Sequence, residues 1–210
     1  TPVAEKRGQV ILKDIHKDYL DFLLKFKGDY SDIKIAFDLS NGMSSLYARE
    51  IFGDEPAYIF EELDGNFPNH EPNPLIPKNV EPLQALVKKT GADVGVIYDG
   101  DADRVMFVDN EGKFVSPDLM IAVLGHYFID ERHETGTVLQ DIRSSKAVGE
   151  YLTPMGCKMA TWKVGRAFAA KKLRELDGVW GGELAGHYYF RDFFYSDSGL
   201  LASILILRVV

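Results

Sequence analysis

Three acids, one arginine and two small residues stand together at Asp99-Gly100-Asp101-Ala102-Asp103-Arg104. The apolar run Val94 to Tyr98 leads in and Val105 to Val108 leads out, and both read as short buried strands. On an extended segment, acids at i, i+2 and i+4 point to one side and repel one another. A hard divalent cation with oxygen ligands removes that repulsion, and Gly100 and Ala102 let the backbone curl around it. Arg104 is no metal ligand, but it suits an anion held beside the metal. The spacing therefore predicts Asp99, Asp101 and Asp103 as ligands of Mg²⁺ facing a phosphate.

Other readings compete for the same residues. A solvated acidic turn is the commonest meaning of clustered Asp, but such turns are seldom clamped between two apolar strands. A calcium-binding EF-hand loop needs Gly where Arg104 stands and Glu where Asn110 stands. A haloacid-dehalogenase-like phosphatase also places Asp-x-Asp after a strand, with Asp99 as nucleophile and Asp101 as acid. There the third acid, Asp103, is out of place.

A second set of polar residues lies downstream. Arg143 with Ser144 and Ser145, Lys163 with Arg166, and Arg191 each follow a strand, where open α/β sheets bind ligands, and offer donors to a phosphate. Glu183, set in Gly181-Gly182-Glu183-Leu184-Ala185-Gly186-His187, sits on a side-chain-poor loop and can accept hydrogen bonds from vicinal hydroxyls, as a sugar would require. A tight turn with Glu183 and His187 solvated explains the same residues.

The elements that must position these groups follow from periodicity. Ile15, Tyr19, Phe22, Leu23 and Phe26 space a helix over 14–27, closed by Gly28. Ile33 to Phe37 is a strand ending in Asp38, and Ser40-Asn41-Gly42 opens a helix to Gly53, with Ser40 or Asn41 as its cap. A strand near Ala57 to Phe60 precedes a proline-rich loop, Leu63 to Pro74, whose His70 reads as a surface residue; loops this long are functional or cover an interface. Helices follow over Val80 to Thr90 and from Pro117 to Asp130. Strand, Asp and polar turn then recur at Thr137 to Asp141, with a helix to Leu152, a strand from Cys157 to Trp162 and a helix after Arg166. This weak internal repeat marks the boundary of a second α/β domain near residue 131.

Composition narrows the class. Of 210 residues 46% are apolar, enough for a real core, and 32 acids against 24 bases give a net charge of −8, which argues against nucleic-acid or anionic-membrane binding. The single cysteine, Cys157, reads as a buried thiol. With no membrane-length apolar run and no signal-peptide pattern, a cytoplasmic location is expected. The Thr-Pro-Val start and the uncapped apolar end suggest a piece of a longer protein.

Taken together the motifs are familiar. Asp99 to Arg104 resembles the metal loop of the α-D-phosphohexomutase superfamily, and Gly182 to His187 its sugar-binding loop. Asp64 to His70 with the following prolines, Asp141 to Ser145, Trp162 to Arg166, and Tyr188 to Asp192 through Gly199 are similar to further stretches of its phosphomannomutase/phosphoglucomutase group, in the same order. The resemblance implies two successive three-layer α/β/α domains with mixed sheets, domains two and three of a four-domain enzyme: a linker helix over 1–28 from the first domain, a metal-loop domain over 29–130 and a C-terminally truncated sugar-binding domain over 131–210, with the first and fourth domains missing. It implies transfer of phosphate between C1 and C6 of mannose or glucose phosphates through a phosphoserine, absent here, and a bisphosphate intermediate. Arg104 would then act at the transferring phosphate, and Glu183, Ala185, His187, Arg143, Lys163 and Arg166 would bind substrate, while the fragment alone would be inactive. The family pattern commonly has Lys at Arg143, His at Arg166 and Ser at Ala185. Arg166 cannot accept a proton near neutral pH, and a non-catalytic module binding metal and sugar phosphate is the alternative.

Overall fold

The computed structural model describes residues 8–210, so the first seven residues of the expected 1–28 segment lie outside it. Two five-stranded sheets share one strand order. In the first, β1 (Ile35–Asp38), β2 (Ala57–Ile59), β3 (Val94–Tyr98), β4 (Val105–Asp109) and β5 (Phe114–Val115) run β2-β1-β3-β4-β5. In the second, β6 (Thr137–Asp141), β7 (Lys158–Trp162), β8 (Trp180–Gly182), β9 (Tyr188–Phe190) and β10 (Ser196–Asp197) run β7-β6-β8-β9-β10. In each the first three strands run parallel, the fourth runs antiparallel to them and the fifth antiparallel to the fourth. The repeat of strand, Asp and turn thus marks equivalent places in two copies of one topology.

Strand alternation divides each sheet between two helical layers. Ala36, Ile97, Met106 and Val108 face α3 (Pro77–Thr90) through Val80, Leu83 and Val87. Their neighbours Ile35, Phe37, Val96, Tyr98, Val105 and Phe107 face a larger core shared by both sheets. Gly95 must be glycine on the α3 side, because a Cβ there would lie 2.7 Å from Val87 Cγ2. The helix α3 starts three residues before the sequence pattern does, with Pro77 in its first turn, and ends at Gly91, φ 64°.

The shared core is built by α4 (Leu119–Gly125), its π-helical continuation His126–Glu131, and α7 (Gly199–Val209). The α4 run packs on the second sheet: the Trp180 indole N–H donates to the Ile121 carbonyl at 3.0 Å, Tyr188 Oη donates to the Pro117 carbonyl at 2.8 Å, and Phe128 stacks on Trp180. The last helix, α7, is apolar all round and returns to the first sheet, where Ser203 Oγ lies 2.5 Å from Tyr98 Oη. No helix among the described residues is long and apolar enough to cross a membrane.

The expected helix over Ser40–Gly53 is broken. Ser40 and Asn41 both adopt left-handed backbone (φ 51° and 53°), and a 3₁₀ turn, Met43–Leu46, precedes the short α2 (Ala48–Phe52). Neither residue caps it: Ser40 Oγ donates to the Tyr98 carbonyl at 2.6 Å, and Asn41 Nδ2 to the Glu62 carbonyl at 2.8 Å. The N-terminal helix α1 is His16–Leu24, packed near α2 and α7.

Candidate active site

The acidic loop joins β3 to β4, and its three carboxylates each offer an oxygen within 4.8 Å of the others. They converge through a turn, in contrast to the extended segment that the spacing suggests: Ala102 takes a left-handed φ of 60° and its N–H reaches the Asp99 carbonyl. Asp99 is buried, Asp103 half-buried and Asp101 exposed. Burial and the neighbouring Asp99 push the Asp103 carboxyl up to about 6. Hard oxygen donors crowded at this range fit a divalent cation of the Mg²⁺ type, which would relieve that repulsion. Arg104 closes the loop on its inner side, donating through Nε to Asp99 Oδ2 at 2.7 Å and through its backbone N–H to Asp99 Oδ1 at 3.1 Å.

The second loop joins β8 to β9, the equivalent place in the second sheet. Glu183 is 3% exposed and fixed, which removes the solvated-turn reading for it. Its Oε1 accepts from Tyr189 Oη at 2.8 Å and from the Gly165 N–H at 3.3 Å, and its Oε2 is 3.7 Å from Arg143 Nη2. Gly186 has φ 87° and would place a Cβ 3.1 Å from the Val105 carbonyl oxygen, so only glycine lets the two loops approach. Val105 N–H donates to the Gly186 carbonyl at 3.1 Å, and Arg104 and His187 form an antiparallel bridge between the sheets. Ala185 lies half-buried in the same loop.

At the junction His187 Nδ1 is 2.7 Å from Asp197 Oδ2 and 3.7 Å from Asp103 Oδ1. Burial works against its charge, but Asp197 and Asp103 outweigh it and hold the imidazole above its usual range. Burial likewise opposes the charge on Asp197, yet His187 and Arg166 hold that carboxyl low. Arg166, at the start of α6 (Arg166–Glu175), donates through Nε to Asp197 Oδ1 at 2.7 Å and places Nη1 3.5 Å from Asp103 Oδ2. Asp103, His187 and Asp197 form a second cluster of ligand-type atoms sharing Asp103 with the first.

Not every candidate donor reaches this junction. Arg143 is there, held by Asp141 at 2.8 Å, and the same Asp141 accepts the Leu184 N–H at 2.8 Å and so ties the arginine's turn to the Glu183 loop. Lys163 instead lies over the Phe168 ring, 3.6 Å from its centroid. Arg191 is paired with Glu134. Ser145 caps α5 (Lys146–Leu152) by accepting the Ala147 N–H, whereas Ser144 Oγ is buried with no hydrogen-bond partner. His70 is no surface residue: its side chain is 6% exposed and faces Asp38 Oδ2 at 3.1 Å. Asp197 and Tyr189 carry the junction without a local sequence signal, since each acts on a residue that only the fold brings near.

The comparisons with known proteins follow the same division. Residues 17–112 match the phosphoglucomutase/phosphomannomutase α/β/α domain II, and residues 116–210 match α/β/α domain III. The chain is 33% identical to a phosphomannomutase of Escherichia coli K12 over 221 aligned positions, covering all of this chain and 48% of that protein. It is 31% identical to a phosphoglucomutase of Neisseria gonorrhoeae, covering 99% of this chain and 46% of that one. A crystal structure of a phosphoglucomutase/phosphomannomutase family protein from Burkholderia thailandensis superposes with TM-score 0.85 at 29% identity, covering 93% of this chain and 43% of that one. The chain thus spans less than half the length of these relatives. The haloacid-dehalogenase reading falls with these matches. With two sheets of one topology, an acidic loop on the first and a glutamate loop on the second, the chain belongs to the phosphoglucomutase/phosphomannomutase family and comprises its α/β/α domains II and III.

Proposed function

We propose that this chain supplies the metal loop and the sugar loop of a Mg²⁺-dependent phosphohexomutase, which moves phosphate between C1 and C6 of a hexose through a phosphoserine and a hexose bisphosphate. The phosphoserine lies outside this chain, so the chain alone is inactive. One observation supports the reading: the Arg104 and His187 bridge sets the acidic loop against the glutamate loop, so a sugar held at Glu183 would present its phosphate towards Asp99, Asp101 and Asp103.

Each residue then has a task. Asp99, Asp101 and Asp103 would hold Mg²⁺, which neutralises charge on the transferring phosphoryl group. Arg104, Arg143 and Arg166 offer guanidinium donors to phosphate oxygens. Glu183 has Oε1 committed to Tyr189 and Gly165, which leaves Oε2 to accept sugar hydroxyls, and an acceptor of that kind serves the sugar in either orientation. His187 has Nδ1 committed to Asp197, so Nε2 is the nitrogen left for a substrate oxygen.

The test is turnover of mannose 1-phosphate and glucose 1-phosphate by the longer protein, beside its D101N and E183Q variants. Interconversion that falls at least a hundredfold in both supports the proposal. Binding of metal and sugar phosphate without turnover would make it a non-catalytic module. Turnover by this chain alone would refute the division of labour.

A further inference from the structure

The proline-rich loop 61–74 has no role in the reaction just proposed, yet it backs the acidic loop. A Cβ on Gly100 would lie 3.3 Å from both the Phe67 and Pro72 rings, and Asn73 Oδ1 accepts from Arg104 Nη1 at 3.3 Å. The other side of the loop is tied to the end of β1. Asn69 Nδ2 donates to Asn41 Oδ1 at 2.8 Å, and His70 Nε2 meets Asp38 Oδ2 at 3.1 Å.

The geometry at His70 fixes its charge. Nδ1 lies 2.8 Å from the Glu71 carbonyl oxygen and Nε2 faces a carboxylate, so both ring nitrogens point at acceptors. A neutral imidazole has one N–H and could satisfy only one of them; the imidazolium satisfies both. Asp38 is the charged group facing the ring, from the end of β1; the Phe60 ring meets it edge-on from the end of β2. From Asp38 the bonds continue to the metal loop: Oδ1 accepts the Ser40 N–H at 2.9 Å, and Ser40 Oγ donates to the carbonyl of Tyr98, the residue before Asp99.

We propose that His70, as an imidazolium paired with Asp38, is a positioning residue for the cation site, clamping the 61–74 loop onto the back of the acidic loop and fixing the spacing of Asp99, Asp101 and Asp103. It rests on the reading that these aspartates hold a divalent cation. Residues of this kind, which orient the ligands without touching the ion, typically change metal affinity by about 10- to 100-fold when lost.

The test compares the chain with its H70F and H70Q variants, using Mn²⁺ binding by calorimetry and amide hydrogen exchange of Met43, whose N–H donates to the Gly100 carbonyl at 3.0 Å. H70F keeps the ring against Phe60 and loses both bonds. Its Mn²⁺ dissociation constant should rise about 10- to 100-fold, and Met43 should exchange faster even without metal. H70Q keeps one neutral donor for Asp38, as the deprotonated imidazole would, and should bind Mn²⁺ at a level between the wild type and H70F, the level to which the wild type falls at high pH. The pH profile adds a readout that packing alone would not move. Asp38 raises the His70 pKa above its ordinary 6.5, so the clamp is lost as pH rises through the raised value; burial pushes the Asp38 carboxyl up, so the pair is lost on the acid side as well, when that carboxyl takes a proton. Affinity should therefore fall on the alkaline side in the wild type and stay flat in H70Q. Unchanged affinity and exchange in H70F, with Mn²⁺ still bound, would overturn the role of His70 and leave the cation site standing. Faster Met43 exchange in H70F with no Mn²⁺ binding in the wild type would overturn the cation site, and with it this role.

Discussion

Gly42 lies outside the acidic loop, yet replacing it with alanine should displace that loop and weaken the cation binding proposed for it. A Cβ at this position would lie 2.7 Å from the Gly100 carbonyl oxygen and 3.1 Å from both the Asp99 carbonyl oxygen and Gly100 Cα. All three are backbone atoms and none can swing aside as a side chain would. Ordinary contact needs the Gly100 carbonyl to retreat by about 0.7 Å, which also breaks its bond from the Met43 N–H. The lost bond costs about 1 kcal/mol and the overpacking about 2 kcal/mol, for a total near ~3 kcal/mol. In a chain of this size that lowers the melting temperature by about 6 to 12 °C. The moved carbonyl lies between Asp99 and Asp101, so Mn²⁺ affinity should drop at least about tenfold. Gly149 provides the control: it lies within α5 and its Cβ would make an ordinary 3.5 Å contact with Met159, so G149A should stabilise by about 0.5 to 1 kcal/mol. Thermal unfolding and calorimetric Mn²⁺ titration check both variants. If G42A melts and binds like the wild type, the close packing of the 39–43 turn under the metal loop is not what holds that loop in place.

Further outcomes follow from the second lobe. Burial opposes the charge on Asp141, but the Arg143 guanidinium and the Leu184 and Arg143 N–H groups hold its carboxyl below the usual value; the resulting stability is present above about pH 4 and lost as pH falls through the lowered value. R143Q should thus cost about 1 kcal/mol at pH 7, discounted for the partly exposed arginine, and the gap to wild type should close in acid unfolding curves. Y189F removes a donor from the buried Glu183 carboxylate and should destabilise by about 2 kcal/mol in urea unfolding, with weaker binding of hexose phosphate. W180F loses the bond to the Ile121 carbonyl and part of the ring volume at a fully buried site and should cost about 2 to 3 kcal/mol, whereas W180A, which empties that site between α4 and the second sheet, should cost about 3 to 5 kcal/mol.

Local signals in the sequence explain most of the elements. Runs such as Val94 to Tyr98 and Val105 to Val108 are strands because apolar side chains line both of their faces, and a continuous apolar run shows without any knowledge of the partner. The two-residue strands β5 and β10 carry too few residues for periodicity to register. Ser40 and Asn41 read as helix caps since that is their commonest use, but here the tertiary bond from Ser40 to Tyr98 decides their conformation. The types of residue in the site were legible because the cation and sugar chemistry proposed for it would each need particular atoms. Their partners were not. His70 and Asp38 are 32 positions apart, and Arg191 and Glu134 are 57 apart; a single chain carries no mark of such pairs until the sheets form.

The repeated topology explains why these two loops meet. Asp99 follows the third strand of the first sheet and Glu183 the third strand of the second, and both acids are buried at the strand end. Arg104 and His187 hold the matching places before the fourth strands, and these are the two residues that bridge. Contacts between equivalent positions are what a near two-fold arrangement of the sheets produces, as in an isologous interface between subunits. The exchange of helices follows the same rule: α4, after the fifth strand of the first sheet, covers the second, and α7, after the fifth strand of the second, covers the first. A junction built this way has no flexible linker to set its geometry. The distance from the acidic loop to the glutamate loop is fixed by backbone pairing and by one core common to both sheets, so a substitution that loosens either sheet, such as W180A, should shift both loops together.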